Sequence, residues 1–395
     1  MKKILSKSLV GIALIIITFV AFNFGFHYGY EQVPMPPKEL PSDVDISLLW
    51  DVWNKIEEKY SGDINYQEMI FGAAKGMVSG LGDPYTVFFQ PEDSKIFQDD
   101  IAGSFEGVGM KIGIKKGELT VIAPLEESPA QKAGLLAGDI IIKVEDVYTK
   151  DITIDKAVKL IRGERGTEVN LTVYRDSWND VREIKITRDV IKISTVKMEV
   201  VQGDIAHITI YQFSSNLDLD FAKITDRVVQ DKSIKKIVLD LRNNPGGLLH
   251  QAQLIAGYFL EKGDLVTIES FGEGREEQEY LAMGNEILKD YPITILINQG
   301  TASGAEILAA ALRDNRDGVK LIGEQSFGKG SVQEPINLRD GSLIKITIAH
   351  WLTPKGALIS EIGLEPDIVV KMTEEDYKEE RDPQLEKAIE ILKAM

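Results

Sequence analysis

Cysteine is absent from all 395 residues, which removes disulfides, thiol nucleophiles and cysteine-built zinc sites. A chain without thiols is indifferent to redox state, so this absence leaves the compartment open. Basic stretches are also missing beyond the extreme N-terminus. Lys and Arg total 45 against 62 Asp and Glu, a net charge of −17, which argues against nucleic acid as a partner because phosphate binding needs a basic surface. Histidine is scarce: His27, His207, His250 and His350 are the four, and none has a context that pairs it with a serine, although His250 near a glycine turn stays open. What remains is ordinary globular composition, 44% hydrophobic and 27% charged, in a chain long enough for two or three domains.

One long apolar run exists. Lys2, Lys3 and Lys7 precede LVGIALIIITFVAFNFGF, Leu9 to Phe26, close to the ~20 residues of a spanning helix. Basic residues in front and Glu31 behind predict an N-terminus inside and a body outside. Bulky Phe22, Phe24, Phe26, Tyr28 and Tyr30 follow where a cleavage site would need small residues, so the run reads as an uncleaved single-pass membrane anchor. A cleaved signal, giving a secreted or periplasmic protein, is the alternative.

EQVPMPPKELPS, residues 31–42, is a semi-rigid proline-rich linker. Leu48, Leu49, Val52, Trp53, Ile56 and Tyr60 then recur at helical spacing behind a candidate cap, Asp45, and a second helix over Tyr66–Val78 ends at GLGDP. From Phe105 short alternating strands broken by glycine take over. After about Ile191 strands and helices alternate, the signature of an α/β domain. Strands are expected at Ile205–Ile210, Lys236–Leu241, Ile293–Ile297 and Ser342–His350, and helices at Leu248–Leu260 and Ala302–Arg313. The tail, Glu374–Met395, has a charged helical pattern.

Residues 104–190, with the short SPAQKAG helix and the DIIIKV strand, resemble a PDZ domain. FEGVGMKI sits where that fold binds a carboxylate. Gly107 and Gly109 let the backbone N–H groups around Val108 turn toward one anion, Met110 and Ile112 would line the pocket for a last apolar side chain, and the strand edge is open to an added peptide. A plain tight turn is the bland alternative. Arg162, in IRGERGT, is a candidate regulatory residue reaching a peptide or the neighbouring domain; a solvated helix end explains it equally well.

Three further segments carry chemistry. NQGTASGAE places Ser303 at a helix N-terminus, where its own N–H and that of Gly304 are expected to be unpaired and able to hold an oxyanion. A simple helix cap is the alternative. LDLRNNPGG offers a second donor, Gly246 or Gly247. GEQSFGKGSVQ holds Lys329 between glycines, with Gln333 expected on the same face of an extended segment. A desolvated lysine amine can take a serine proton where no histidine is available, and a glutamine can orient it without adding charge. The run Gly323–Gly330 also reads as a near P-loop, with Asp240 as its magnesium aspartate. Gly330 replaces the required hydroxyl, however, and a strand-like segment with a proline follows where a helix must open.

Together with GMVSGLGDPYTVFF and NQGTASGAEILAAALRD, these segments resemble the C-terminal processing peptidases in order along nearly the whole chain after the apolar run. The resemblance implies a multi-domain α/β fold: a crotonase- and ClpP-like protease core with an inserted PDZ domain. It implies a Ser303–Lys329 dyad assisted by Gln333, an oxyanion hole from Gly304 with Gly246 or Gly247, no metal and no cofactor. Thr301 stands where many members carry serine. The expected organisation is a cytoplasmic N-terminus at 1–8, an anchor or signal at 9–27, a linker at 28–42, and a helical region with the first part of the core at 43–103. The PDZ domain follows at 104–190, the rest of the core at 191–372 and a helical tail at 373–395. The implied function is a serine endopeptidase that recognises proteins by their free C-termini, with its body outside the cytoplasm. Helical ends at both termini are compatible with a homodimer. The rival is a catalytically dead scaffold that uses only its PDZ unit.

Overall fold

A computed structural model describes residue 41 and residues 43–395, apart from 116, 126, 151, 193 and 361. The anchor expected at 9–27 lies outside the described residues, as does the linker at 28–42 except Pro41. No helix among the described residues is long and apolar enough to cross a membrane. The chain divides into two units at Met69/Ile70.

In the first unit, helix α1 (Ser47–Lys59) buries none of its residues and exposes Leu48, Leu49, Trp50 and Val52. Asp45 accepts the N–H of Ser47 at 2.9 Å, while Ile46 occupies the cap position expected for Asp45. Trp53 stacks on Tyr66, at the start of α2 (Tyr66–Ser79), with ring centroids 5.4 Å apart.

The second unit begins with β1 (Val87–Phe89) and α3 (Pro91–Ala102). The chain then enters a separate module through β2 (Ser104–Gly107) and leaves it through β9 (Asp189–Lys192). These two pair antiparallel from Ser104↔Lys192 to Gly107↔Asp189. Between them lie β3 (Met110–Lys115), β4 (Glu118–Pro124), α4 (Pro129–Lys132), β5 (Ile140–Val144), β6 (Val147–Tyr148), α5 (Ile154–Ile161), β7 (Glu168–Tyr174) and β8 (Arg182–Thr187). The strands run β3-β4-β5-β7-β8 around their own core, which includes Val121, Ile141, Leu171 and Val173. Val169, Leu171 and Val173 alternate with more exposed neighbours on β7, as a half-buried strand requires.

The larger body starts at β10 (Val196–Val201) and continues with β11 (Ile205–Ile210), α6 (Leu217–Gln230), β12 (Lys236–Asp240), α7 (Leu249–Phe259), β13 (Leu265–Ser270), β14 (Gln278–Leu281), β15 (Ile293–Ile297), α8 (Gly304–Asn315), β16 (Lys320–Gly323), β17 (Ser331–Asn337), β18 (Leu343–Leu352), β19 (Ile368–Val369), α9 (Glu374–Lys378) and α10 (Pro383–Ala394). One sheet has the order β10-β11-β12-β15-β16-β19, parallel except at β10. Both faces are covered, which is why β15 is buried along its whole length and apolar except at Thr294. Ile293, Ile295 and Ile297 join the core that holds α6, α7 and α8, whereas Leu296 turns to the opposite face with Ala388 and Leu392 of α10. Phe213, Phe221 and Phe259 are fully buried in the main core, each stabilising it by roughly 1.5–3 kcal/mol. A second sheet, β1-β18-β13-β14 with β17 on β18, contributes Val332, Ala349 and Trp351 to the same core. The carboxyl ends of β12 and β15 in the first sheet and the start of β17 in the second deliver the three chemistry-bearing segments.

Candidate active site

The nucleophile turn is pinned before it reaches the serine. Asn298, just past β15, accepts the N–H of Asn243 at 2.8 Å and of Gly300 at 3.0 Å. The buried Thr301 hydroxyl donates to Leu241 O at 2.8 Å and accepts the N–H of Asn298. The turn thereby lies against the end of β12, and Gly300 allows the approach: a Cβ there would stand 2.8 Å from Asn243 Cα. Ser303 follows as the N-cap of α8 at φ 53°, ψ −120°, a conformation that costs a non-glycine residue ~1–3 kcal/mol.

Glu306, one turn into α8 and wholly buried, organises what surrounds that serine. Its Oε2 accepts the N–H of Ser303 at 2.8 Å and of Lys329 at 3.1 Å, and its Oε1 accepts the N–H of Gly328 at 2.8 Å and the Ser326 hydroxyl at 2.6 Å. Phe327 N–H also reaches Thr301 O, so the lysine loop is sewn to the nucleophile turn. Burial pushes the Glu306 carboxyl up, and the four donors pull it back only in part. The Ser303 N–H, expected to be a free oxyanion donor, is spent on this carboxylate.

Lys329 and Ser303 line one cavity of about 370 Å³. Burial lowers the Lys329 ammonium below its ordinary value, against the opposing charge of Glu306. Its Nζ stands 5.7 Å from the centre of the Tyr85 ring. Gln333 lines the same cavity, but its amide donates to Ser331 O at 3.2 Å and Ser331 Oγ at 2.6 Å rather than to the lysine. A bulge between Val332 and Gln333 breaks the simple alternation expected to put Lys329 and Gln333 on one face.

The glycine turn after β12 faces Ser303. Gly246 N–H donates to Asn244 Oδ1 at 2.8 Å, which removes it as an oxyanion donor; Asn244 is itself buried and held to Ile210 O. The N–H groups of Gly247 and Gly304 have no acceptor among the described residues. They also adjoin: a Cβ built on Gly304 would lie 3.6 Å from Gly247 N. Gly247, at φ 140°, admits no side chain, since a Cβ there would meet Phe213 O at 2.4 Å. A strained serine, a lysine of lowered basicity and the free Gly247 amide thus line one cavity, with the free Gly304 amide next to them, the equipment of acyl transfer.

Comparison with known proteins agrees. The profile of peptidase family S41 matches residues 204–370, a PDZ domain profile matches 120–175, and that of the N-terminal domain of the activating protease CtpB matches 37–93. The carboxy-terminal processing protease CtpA of Bacillus subtilis is 36% identical over 330 residues, 84% of this chain and 70% of that protein. The chain belongs to peptidase family S41. A carboxy-terminal-processing protease of Bartonella bacilliformis is 38% identical over 341 residues, 84% of this chain and 77% of its own. The solved photosystem II D1 C-terminal processing protease superposes with a TM-score of 0.50 at 28% identity, over 83% of this chain and 89% of that one. This S41 chain is therefore a serine-type peptidase of the carboxy-terminal processing kind, a mixed α/β protease fold carrying a PDZ domain.

In the PDZ domain of this S41 peptidase, a cleft of about 90 Å³ is lined by Val108, Gly109, Met110 and Ile112, with Phe105 and Arg162 beside them. Gly109 has φ 74°, and a Cβ there would stand 2.5 Å from Ser128 Cβ. Gly107 lies instead in β2, paired with Asp189, outside the cleft lining. Arg162 is not a solvated helix end: its guanidinium stacks 4.4 Å above Phe105 and reaches Asp100 Oδ1 at 3.3 Å, and its Nη1 is buried without a partner.

The remaining alternatives meet specific obstacles. His207 pairs with Asp240 at 3.1 Å, His350 with Ser360 at 3.0 Å, and His250 is exposed on α7. The P-loop reading fails because residues 331–337 are a strand and Asp240 is tied to Arg242 at 2.6 Å. Sequence reading missed Glu306, Asn244, Tyr85 and Lys345. GLGDPYT carried a signal for Tyr85, since Asp83 accepts Tyr85 N–H and the Thr86 hydroxyl to shape that turn.

Proposed function

We propose that this peptidase is a membrane-anchored, extracytoplasmic endopeptidase that captures free protein C-termini in its PDZ cleft and cuts with a Ser303–Lys329 dyad on a crotonase- and ClpP-like core. The observation that carries this reading is the Glu306 carboxylate, which accepts the amides of both Ser303 and Lys329 while both residues border one cavity. The neutral Lys329 amine takes the Ser303 Oγ proton as the oxygen attacks the peptide carbonyl. Gly247 and Gly304 N–H groups hold the resulting oxyanion. As the intermediate collapses, Lys329 returns the proton to the leaving amine, and an acyl-enzyme on Ser303 remains. Lys329 then deprotonates water for the second half-reaction. Gln333, which lines the same cavity, is assigned the part of orienting the amine, by turning from Ser331 toward it. Anchoring rests on the apolar run at 9–27, and fractionation of cells expressing the full chain tests it.

The deciding assay uses casein and peptides with free C-terminal tails, against wild type, Ser303→Ala and Lys329→Ala. Turnover by wild type alone supports the dyad. Equal, negligible turnover by all three supports the scaffold reading instead. Undiminished turnover by Lys329→Ala overturns the lysine base.

A further inference from the structure

Part of the lining of the cavity at Ser303 forms a compartment whose chemistry the dyad does not use. Leu249, Ile307, Val332 and Trp351 supply apolar walls, and Glu269 and Tyr280 supply the polar groups. Ile307 stands one turn along α8 from Ser303, and Leu249 follows the oxyanion glycines, so this compartment adjoins the carbonyl that Gly247 and Gly304 would hold. A side chain on the residue just before the scissile bond would enter it.

Glu269 is an unusual residue for that place. It lies within β13, paired with Trp351, and is 4% exposed. Carboxylates are depleted in strands, and burying one is costly without a cation or several donors. Among the described residues one donor reaches its side chain, the Tyr280 hydroxyl, at 2.7 Å to Oε2. Tyr280 is held by an edge-on contact with Trp351 at 5.8 Å. Burial and that hydrogen bond push the phenol up to about 12, so Tyr280 keeps its proton and donates. Among the described residues no donor reaches Oε1, and Glu269 lines the cavity that holds Ser303. The nearest cations in that cavity belong elsewhere. Lys329 faces Tyr85, and Lys345 lies near the Phe89 and Phe97 rings; among the described residues neither forms an ion pair with Glu269.

We infer that Glu269, braced by Tyr280, is a specificity determinant that selects a basic side chain, lysine or arginine, immediately before the scissile bond. The inference rests on the proposed proteolysis at Ser303. The substrate's ammonium or guanidinium supplies the charge partner that the buried carboxylate lacks, while its methylene stem lies along Leu249, Ile307 and Val332. An aliphatic side chain of the same length fills the walls but leaves Oε1 unpaired, which a site built for a donor penalises.

Two measurements test this. Denatured casein is digested with wild type and with Ser303→Ala, and the new termini are mapped by mass spectrometry. Peptide pairs with lysine or norleucine before the cut are then compared in wild type, Glu269→Gln and Tyr280→Phe. Lysine or arginine should precede most Ser303-dependent cuts. The kcat/KM ratio of lysine to norleucine should be roughly tenfold or more in wild type. It should collapse toward unity in Glu269→Gln and persist in Tyr280→Phe, which frees the second oxygen. A ratio needs no knowledge of the active fraction, so partial misfolding does not disguise the outcome. Ser303-dependent cleavage without a basic preference in wild type overturns this inference and leaves the protease reading standing. No Ser303-dependent cleavage overturns both.

Discussion

One buried carboxylate ties together the two segments on which the proposed chemistry depends. Glu306 offers two oxygens to four donors drawn from the nucleophile turn and the lysine loop. In Glu306→Gln one oxygen becomes an amide donor facing other donors, so two of the four bonds are lost whichever way it turns. A displacement near 1 Å costs ~10²-fold in rate, so kcat should fall by about that much with KM little changed, and thermal unfolding should start earlier. Steady-state kinetics and a melting curve check both. Gly247→Ala acts on the other side of the carbonyl: its Cβ would collide with Phe213 O and displace an oxyanion amide, for an expected loss of ~10²–10³ in kcat. The pH dependence follows from Lys329. In the proposed dyad only its neutral form accepts the serine proton, so kcat/KM should rise with pH through its pKa. Burial sets that pKa below the ordinary 10.5, and the rising limb should lie below that value. A limb at or above 10.5 would mean that another base acts.

The elements differ in how legibly the sequence announces them. Strands Ile205–Ile210 and Ile293–Ile297 stand out as isoleucine-rich runs, broken only by His207, Thr209 and Thr294, because both faces of their sheet are covered. The PDZ strands β3, β4, β7 and β8 stand out because each is punctuated by glycine or charged turns. Strands Leu265–Ser270 and Gln278–Leu281 do not, since Thr267 and Glu269 place polar residues in a buried strand where hydrophobic periodicity is the only guide. Helix Leu217–Gln230 carries Asp and Lys between its core residues, which dilutes its pattern. At the site, Ser303, Lys329 and the glycine pair are legible as motifs. Which amides stay free is not, because side chains of Glu306 and Asn244 consume two of them and their partners are fixed only by the fold. The PDZ cleft carries its own test. Peptides with a free C-terminal carboxylate should be cut faster than their amidated counterparts, chiefly through a lower KM. Arg162→Ala, which removes the stack on Phe105 and the bond to Asp100, should narrow that difference. Equal KM values for the two peptide forms in wild type would remove the cleft from substrate capture.

At the scale of the whole molecule, the last helix is tied to the site by one ion network. Arg242 is 15% exposed and bonds Asp240 at the end of β12 and Asp382 at the N-cap of α10, with Gln384 beside it. Burial pushes the Asp240 carboxyl up, but hydrogen bonds from His207 and Arg242 outweigh it and hold it below the ordinary 3.8. Its contribution to stability is therefore complete above that value and drains away as pH falls through the lower folded-state pKa. Arg242→Met leaves two carboxylates facing each other without their shared cation, a loss of about 3–5 kcal/mol for a buried pair broken on one side. The melting temperature should fall at pH 7, and the deficit relative to wild type should shrink in acid, as the Asp240 carboxyl takes up its proton. Because Asn244, Gly246 and Gly247 follow Arg242 directly, release of α10 should also loosen the oxyanion loop. Proteolytic activity in this variant should then decline at temperatures below global unfolding. Parallel loss of activity and fold along the whole melting curve would show that the clamp holds the body together without bearing on the site.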